Sequence, residues 1–281
     1  MKVIANIIKY MLVIVLTISI ILTVAIHTIT STILNKDYIL GKLEETNYYN
    51  NIYNQVESNF ENYIYQSGLD EEVLKNIISE EDIKSDTTQI ISNIYDGKTS
   101  NIDVSKIEKR LETNIYNSLS NQRITESTKK AIDQFINKIT EEYKDTIVHT
   151  KYETNINKVL SKIIKYGSII KNILIVASIV IGIILLLLNI KNIFRGCAQL
   201  GIALLATGFF NIIVNIIINT KVKIDNITVL NNGFSMTLRN IIHDVIKIFM
   251  NYSFILLAVG LLIIVISNII VNKDKKEEKL N

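Results

Sequence analysis

The chain has 281 residues, 48% of them hydrophobic, and a formal net charge of +3. A nearly balanced charge with no basic stripe excludes an ordinary nucleic-acid-binding surface. The only cysteine, Cys197, excludes an intrachain disulfide and a cysteine-built metal centre. Pro and Trp are absent, so no helix is interrupted by proline.

Residues 1–9 form a short leader carrying Lys2 and Lys9, and residues 10–34 are a long, mostly apolar run without acidic residues, Lys or Arg. That run exceeds a signal-peptide core of ~7–15 residues and lacks a small-residue cleavage site. It is expected to be an uncleaved signal anchor and the first of four membrane spans.

Residues 35–168 are the one long polar insert, and the pattern predicts a helical bundle. Tyr49, Ile52, Tyr53, Val56, Phe60, Tyr63 and Ile64 recur at three- and four-residue spacing. Gly68 is placed to end that helix and Asp70 to cap the next, which would run through Val73, Leu74, Ile77 and Ile78. Ser79 and Asp82 have capping-box spacing, and Asp96-Gly97 begins a turn. Val104, Ile107, Leu111, Ile115 and Leu119 mark a further helix. A last one begins near Ser127 and is expected to continue through Ile156 and Ile163 into the second span. The first insert helix is likewise expected to grow out of span one, giving a two-helix stalk. Eleven of the thirteen tyrosines lie in this insert and are expected to fill its core and rim.

Residues 169–190 form the second span, 191–195 a turn and 196–220 the third span. The third is the most polar. Gly201, Gly208, Asn211, Asn215 and Asn219 fall on one helical face, extended by Cys197 and Leu204. Small residues let helices approach closely, and Asn side chains hydrogen-bond across helices, so this face is the candidate packing or partner surface. Span two offers Ser178 and Gly182 four residues apart, and span four Ser253, Gly260 and Ser267 at seven-residue spacing. A polar solute path is the alternative use of the Asn face. Residues 221–247 form a loop ending in an amphipathic stretch, Leu238 to Phe249, that either lies on the membrane or docks on the insert. Residues 248–271 are the fourth span and 272–281 a tail.

With the N-terminus inside, the inner segments hold eight Lys/Arg: Lys2, Lys9, Lys191, Arg195, Lys273, Lys275, Lys276 and Lys279. Residues 36–168 hold 22 Asp/Glu against 17 Lys/Arg, a balance of −5. The positive-inside rule then puts both termini in the cytoplasm and the insert outside it, in a multi-pass protein of the cell membrane. An abundance of Ile, Asn and Lys fits an A/T-rich bacterial genome.

At Asn47-Tyr48-Tyr49-Asn50-Asn51-Ile52-Tyr53, Gln66-Ser67-Gly68-Leu69 and Ile94-Tyr95-Asp96-Gly97 the chain resembles uncharacterised four-span membrane proteins of clostridia and related Firmicutes. The all-α fold is the reading of the periodicity itself, and the resemblance brings no established activity to transfer. The order span, helical domain, span also resembles the sensor modules of bacterial chemoreceptors and histidine kinases. No signalling domain is expected after residues 272–281.

No chemistry assembles in the sequence. His27, His149 and His243 are scattered and form no H-E-x-x-H motif, although Glu153 lies four residues beyond His149. Gly233-Phe234-Ser235-Met236-Thr237 lacks the second glycine of a nucleophile elbow. The run Glu80-Glu81-Asp82 lacks the alternating oxygens of a calcium loop. The expectation is a non-enzymatic protein with no cofactor, no metal and no nucleic acid. Its partners would be the lipid bilayer and a protein, another or itself. The alternative is a small permease, a channel or a transporter subunit.

Overall fold

A computed structural model describes residues 2–120, 124–148, 153–228 and 232–277. Among these the regular structure is helix alone, with no strand. In chain order the helices are α1 (Lys2–Ser31), α2 (Lys36–Glu45), α3 (Tyr48–Ser67), α4 (Glu80–Asp96), α5 (Ser105–Ser118), α6 (Glu126–Val148), α7 (Glu153–Leu188), α8 (Ile193–Lys221) and α9 (Asn232–Glu277). The chain divides into two compact units. One comprises Lys36–Ile164 with Thr228–Leu238, and the other Met1–Asn35, Lys165–Ile227 and Arg239–Asn281.

The first, a polar helical unit, is organised around α3. Its Tyr49, Ile52, Val56, Phe60 and Ile64 are all buried, the apolar stripe that their spacing requires. Against it pack Ile83 and Ile90 of α4, Ile107, Leu111 and Ile115 of α5, and Ile132, Ile139 and Tyr143 of α6. Burying each large side chain contributes about 1.5–3 kcal/mol, which suffices to order a cystine-free bundle of this size. The Ser79–Asp82 capping box forms as the spacing predicts, and Gly68 and Gly97 end α3 and α4 in left-handed conformations. An alanine at Gly97 would place its Cβ 2.8 Å from the Ser161 hydroxyl as well as straining the backbone.

Two expectations for this unit change, and a third falls outside the described residues. No stalk helix grows out of α1. Helix α1 ends at Ser31, and α2 and α3 are separated again at Asn47, whose φ of 52° is left-handed. Asn tolerates that conformation because its short amide can bond locally. The segment after Asp70 is one 3-10 turn, Glu71–Leu74, rather than a helix through Ile78. Asp70 does accept a bond from the Glu72 amide, but Asn76 at φ 58° stops propagation. Continuity between α6 and α7 falls on residues 149–152, outside those described, as does His149. From Glu153, α7 runs unbroken to Leu188.

The loop after α8 contributes to this unit as well. Phe234 packs on the main core, and the Thr237 and Thr46 hydroxyls are 2.7 Å apart and buried. The amphipathic stretch from Leu238 to Phe249 is part of the continuous helix α9 rather than a separate surface helix.

The second unit carries the apolar helices. Among the described residues, four segments are long and apolar enough to cross a membrane: Asn6–Ser31, Ser161–Leu188, Ile190–Lys221 and Gly233–Lys273. Such helices suit an integral membrane protein, because a helix bonds its own backbone where a bilayer core offers no water. Their outward surfaces are apolar, as at Ile14, Ile18, Leu22, Ile173, Val176, Phe209, Ile213, Leu262 and Ile266. Hydroxyls inside these helices bond back to their own carbonyls, Thr17 to Val13, Thr23 to Ser19 and Thr28 to Val24. Helix α1 meets α8 through Val13, Leu16 and Ala203, with Leu185 of α7 closing that cluster. The Ser19 and Ser178 hydroxyls join α1 to α7 at 2.8 Å.

Candidate functional site

Two regions hold the polar groups that an interaction or transport function would use: the seam along α8 and a set of clefts in the helical unit.

Helices α8 and α9 are antiparallel and in very close contact. A Cβ on Gly201 would lie 2.9 Å from the Gly260 carbonyl oxygen, and one on Gly208 2.8 Å from that of Ser253. A Cβ on Gly260 would meet the Gly201 carbonyl oxygen at 2.8 Å. Asn215 then donates to the Ile246 carbonyl at 3.1 Å. Each seven-residue step up α8, from Gly201 to Gly208 to Asn215, is thus matched by a seven-residue step back along α9, from Gly260 to Ser253 to Ile246. The heptad of small residues in span four faces the heptad in span three, an arrangement that suits close helix packing in lipid.

The five residues singled out on this face differ in environment. Gly201, Gly208, Asn211 and Asn215 are buried, whereas Asn219 is exposed and donates to Asn215 Oδ1 at 3.4 Å. Asn211 stands apart. It is fully buried, and neither its amide nitrogen nor its oxygen has a hydrogen-bond partner. Thr207, one turn earlier, bonds to the Ala203 and Thr17 carbonyls. Cys197 is partly buried on the same helix.

Polar groups also close the ends of this unit. At one end Lys9 donates to Asn189 Oδ1 at 2.8 Å, and the Asn189 amide donates to Leu185 O and Gln199 Oε1. The start of α1, the end of α7 and the start of α8 therefore share one end, with Lys191 and Arg195 beside them in sequence. Toward the other end His27 Nε2 is 3.0 Å from the Tyr252 hydroxyl, the two rings edge to face. His243 pairs with Asp225 at 3.1 Å. Among the described residues no group of three or more His, Cys, Asp or Glu is arranged to hold a metal ion.

In the helical unit three clefts meet at Lys75 and Asn76, which line all of them. The first is bounded by Tyr53, Glu57, Glu61 and Glu71 and is acidic. The second runs along Asp70, Glu72, Asn114 and Asn117. The third is bounded by Lys106, Lys109, Arg110 and Thr113 and is basic. Strained backbone at Asn76 makes this junction, since a left-handed non-glycine residue persists only where its surroundings fix it. Asn114 supplies that fixation by donating to the Val73 and Lys75 carbonyls at 3.0 and 2.9 Å. Arg110 adds a bond to the Ile77 carbonyl.

Beside these clefts lies a titratable chain. Arg110 Nη1 donates to Asp82 Oδ2 at 2.7 Å. Burial opposes ionisation of Asp82, but the bonds from Arg110 and Ser79 prevail and hold its carboxyl below the usual range. Asp86, one turn on, is pushed the other way by burial, against the bond from Tyr143 at 2.6 Å. Tyr143 is fully buried, and burial and the Asp86 carboxylate raise its phenol. Burial also pushes Tyr48 and Tyr95 up to about 12. These phenols stay neutral at physiological pH and act as packing groups with a polar handle.

The Lys75–Asn76 junction has no sequence signal of its own. The apolar spacing from Val73 to Ile78 reads as helix, and nothing in a lone Asn announces a left-handed bend.

Comparison with known proteins finds no matching family model, no matching curated protein and no matching solved structure.

Proposed function

We propose that this is a non-enzymatic integral membrane protein whose helical unit lies outside the cytoplasm and serves as an interaction or sensing domain. The observation that carries the reading is the meeting of three clefts at the fixed Lys75–Asn76 bend. Rigid surface concavities built around a strained residue are where binding sites are found. The apolar helices supply the anchor. Their close α8–α9 seam, built on Gly201, Gly208 and Asn215, makes a stable bundle through which a binding event could reach a partner in the membrane. The orientation is supported by the basic residues Lys9, Lys191 and Arg195 gathered at one end of the bundle.

A photocrosslinking residue at Asn117, beside the clefts, should give one discrete adduct in native membranes. The same probe at exposed Asp133 on α6 should not. Equal adducts at both positions, or none at either, would sink the reading.

One observation favours a second reading, a transport component. The unpartnered Asn211 amide is what a polar solute crossing the bundle would use. Purified protein in liposomes that moved a solute, and lost that flux on Asn211→Leu, would put transport in place of sensing.

A further inference from the structure

We propose that the basic cleft of the helical unit binds a phosphate-bearing anion. Lys75, Lys106, Lys109 and Arg110 line a space of about 460 Å³ whose other walls are Asn76, Thr113 and Asn114, so no carboxylate lines it. This separation of charge is set in a segment that is acidic overall, with 22 Asp/Glu against 17 Lys/Arg over residues 36–168. Along α5, Lys109 and Arg110 are adjacent and each lies three or four residues from both Lys106 and Thr113, and Lys75 closes the cleft from the bend opposite. Cations from two elements thus converge on one concavity.

The cations are not equally engaged. Arg110 is held in place by Ile77 and Asp82 through Nη1, with its side chain 40% exposed, which leaves the rest of the guanidinium fork for a ligand. Lys109 makes no ion pair among the described residues. Lys75 pairs with Glu72 at 3.2 Å across exposed surface, a contact worth little and readily exchanged. Lys106 feels Asp86 and Asp103. A multiply charged oxyanion satisfies such a set better than a single carboxylate, because its oxygens accept from several donors at once. Asn76, Thr113 and Asn114 bring uncharged polar groups to the same wall. The inference rests on the reading of this unit as the ligand-facing part of the protein.

A free phosphate ester and a lipid headgroup offer the same chemistry, and the test separates them. The full chain is placed in nanodiscs of phosphatidylcholine alone and titrated with inorganic phosphate, then glycerol 3-phosphate, at constant ionic strength by calorimetry. Saturable binding is expected, weakened at least tenfold in the double variant Lys106→Gln/Lys109→Gln and unchanged in Lys129→Gln/Lys130→Gln on α6. Circular dichroism checks that both variants remain folded. Nanodiscs containing phosphatidylglycerol form the second arm. Loss of phosphate binding there assigns the cleft to a headgroup, and persistence assigns it to a soluble ester. Absence of saturable binding to the unaltered chain, or equal binding by both double variants, overturns the proposal. A discrete crosslink at Asn117 without phosphate binding would remove the anion and leave the interaction reading standing.

Discussion

Asn211 and Asn215 stand one turn apart on the same face of α8, yet only Asn215 is bonded. It donates to the Ile246 carbonyl at 3.1 Å, while both polar atoms of the Asn211 amide are buried without a partner. The same side chain therefore has opposite value at the two positions. Asn215→Leu should weaken the bundle by about 0.6–2 kcal/mol, the usual worth of an interhelical bond in lipid. Asn211→Leu should strengthen it by about 1–3 kcal/mol, because a buried unpaired group is removed. Unfolding of the full chain in mixed micelles by SDS measures both. A loss at Asn211 equal to that at Asn215 would show that Asn211 is bonded in the membrane.

The glycine seam gives a sharper structural test. A Cβ at Gly208 or at Gly260 would lie 2.8 Å from a backbone oxygen of the facing helix, closer than real Cβ contacts come. Gly208→Ala and Gly260→Ala should each cost about 1–3 kcal/mol through overpacking. Gly182→Ala should cost far less, since its nearest neighbour is a Leu200 methyl at 3.6 Å. The same SDS titration ranks the three variants, and equal losses would refute the α8–α9 register.

Core packing separates two phenylalanines that look equivalent in sequence. Phe60 is buried in the helical unit, whereas Phe135 is only partly buried at its margin. Phe60→Ala should cost about 3–5 kcal/mol and Phe135→Ala clearly less. Chemical denaturation of the full chain, followed by circular dichroism, reads the difference.

Asp82 and Asp86 make opposite contributions to the pH dependence of stability. Asp82, held below its ordinary pKa, contributes stability that is present above the unfolded value and lost as pH falls through its folded one. Asp86 is raised by burial, so its contribution is present below the unfolded value and lost as pH rises through the folded one. Asp86→Asn, which keeps an oxygen to accept the Tyr143 bond, should therefore be more stable than the unaltered chain near neutral pH. That advantage should shrink as pH approaches the ordinary carboxylate range. Thermal melts across this window would disprove the assignment if the gap widened toward acid.

Orientation is tested by labelling in a Cys197→Ser background. A cysteine at exposed Lys138 of α6 should react with an impermeant thiol reagent on intact cells, and one at Lys191 should not. The reverse pattern would put the helical unit in the cytoplasm.

The sequence by itself determined the helices and most of their ends. Spacing of three and four from Tyr49 to Ile64 sets a buried stripe whatever the surroundings, and Ser79, Gly68 and Gly97 act within a turn of their own position. Long uncharged runs gave four helices long and apolar enough to cross a membrane, for the same local reason. The seven-residue spacing of Gly201 and Gly208, and of Ser253 and Gly260, was visible too, but not that the two rows face each other. Only tertiary structure decided the rest. The bend at Asn76 depends on what α5 places against it, through Asn114 and Arg110, and left-handed Asn has no local signature. The convergence of Lys75 with Lys106, Lys109 and Arg110 joins residues some thirty positions apart, which periodicity within one helix cannot report. The difference between Asn211 and Asn215 is of the same kind. A hydrogen bond across helices needs a partner at the right height on α9, and only the packed bundle sets that height.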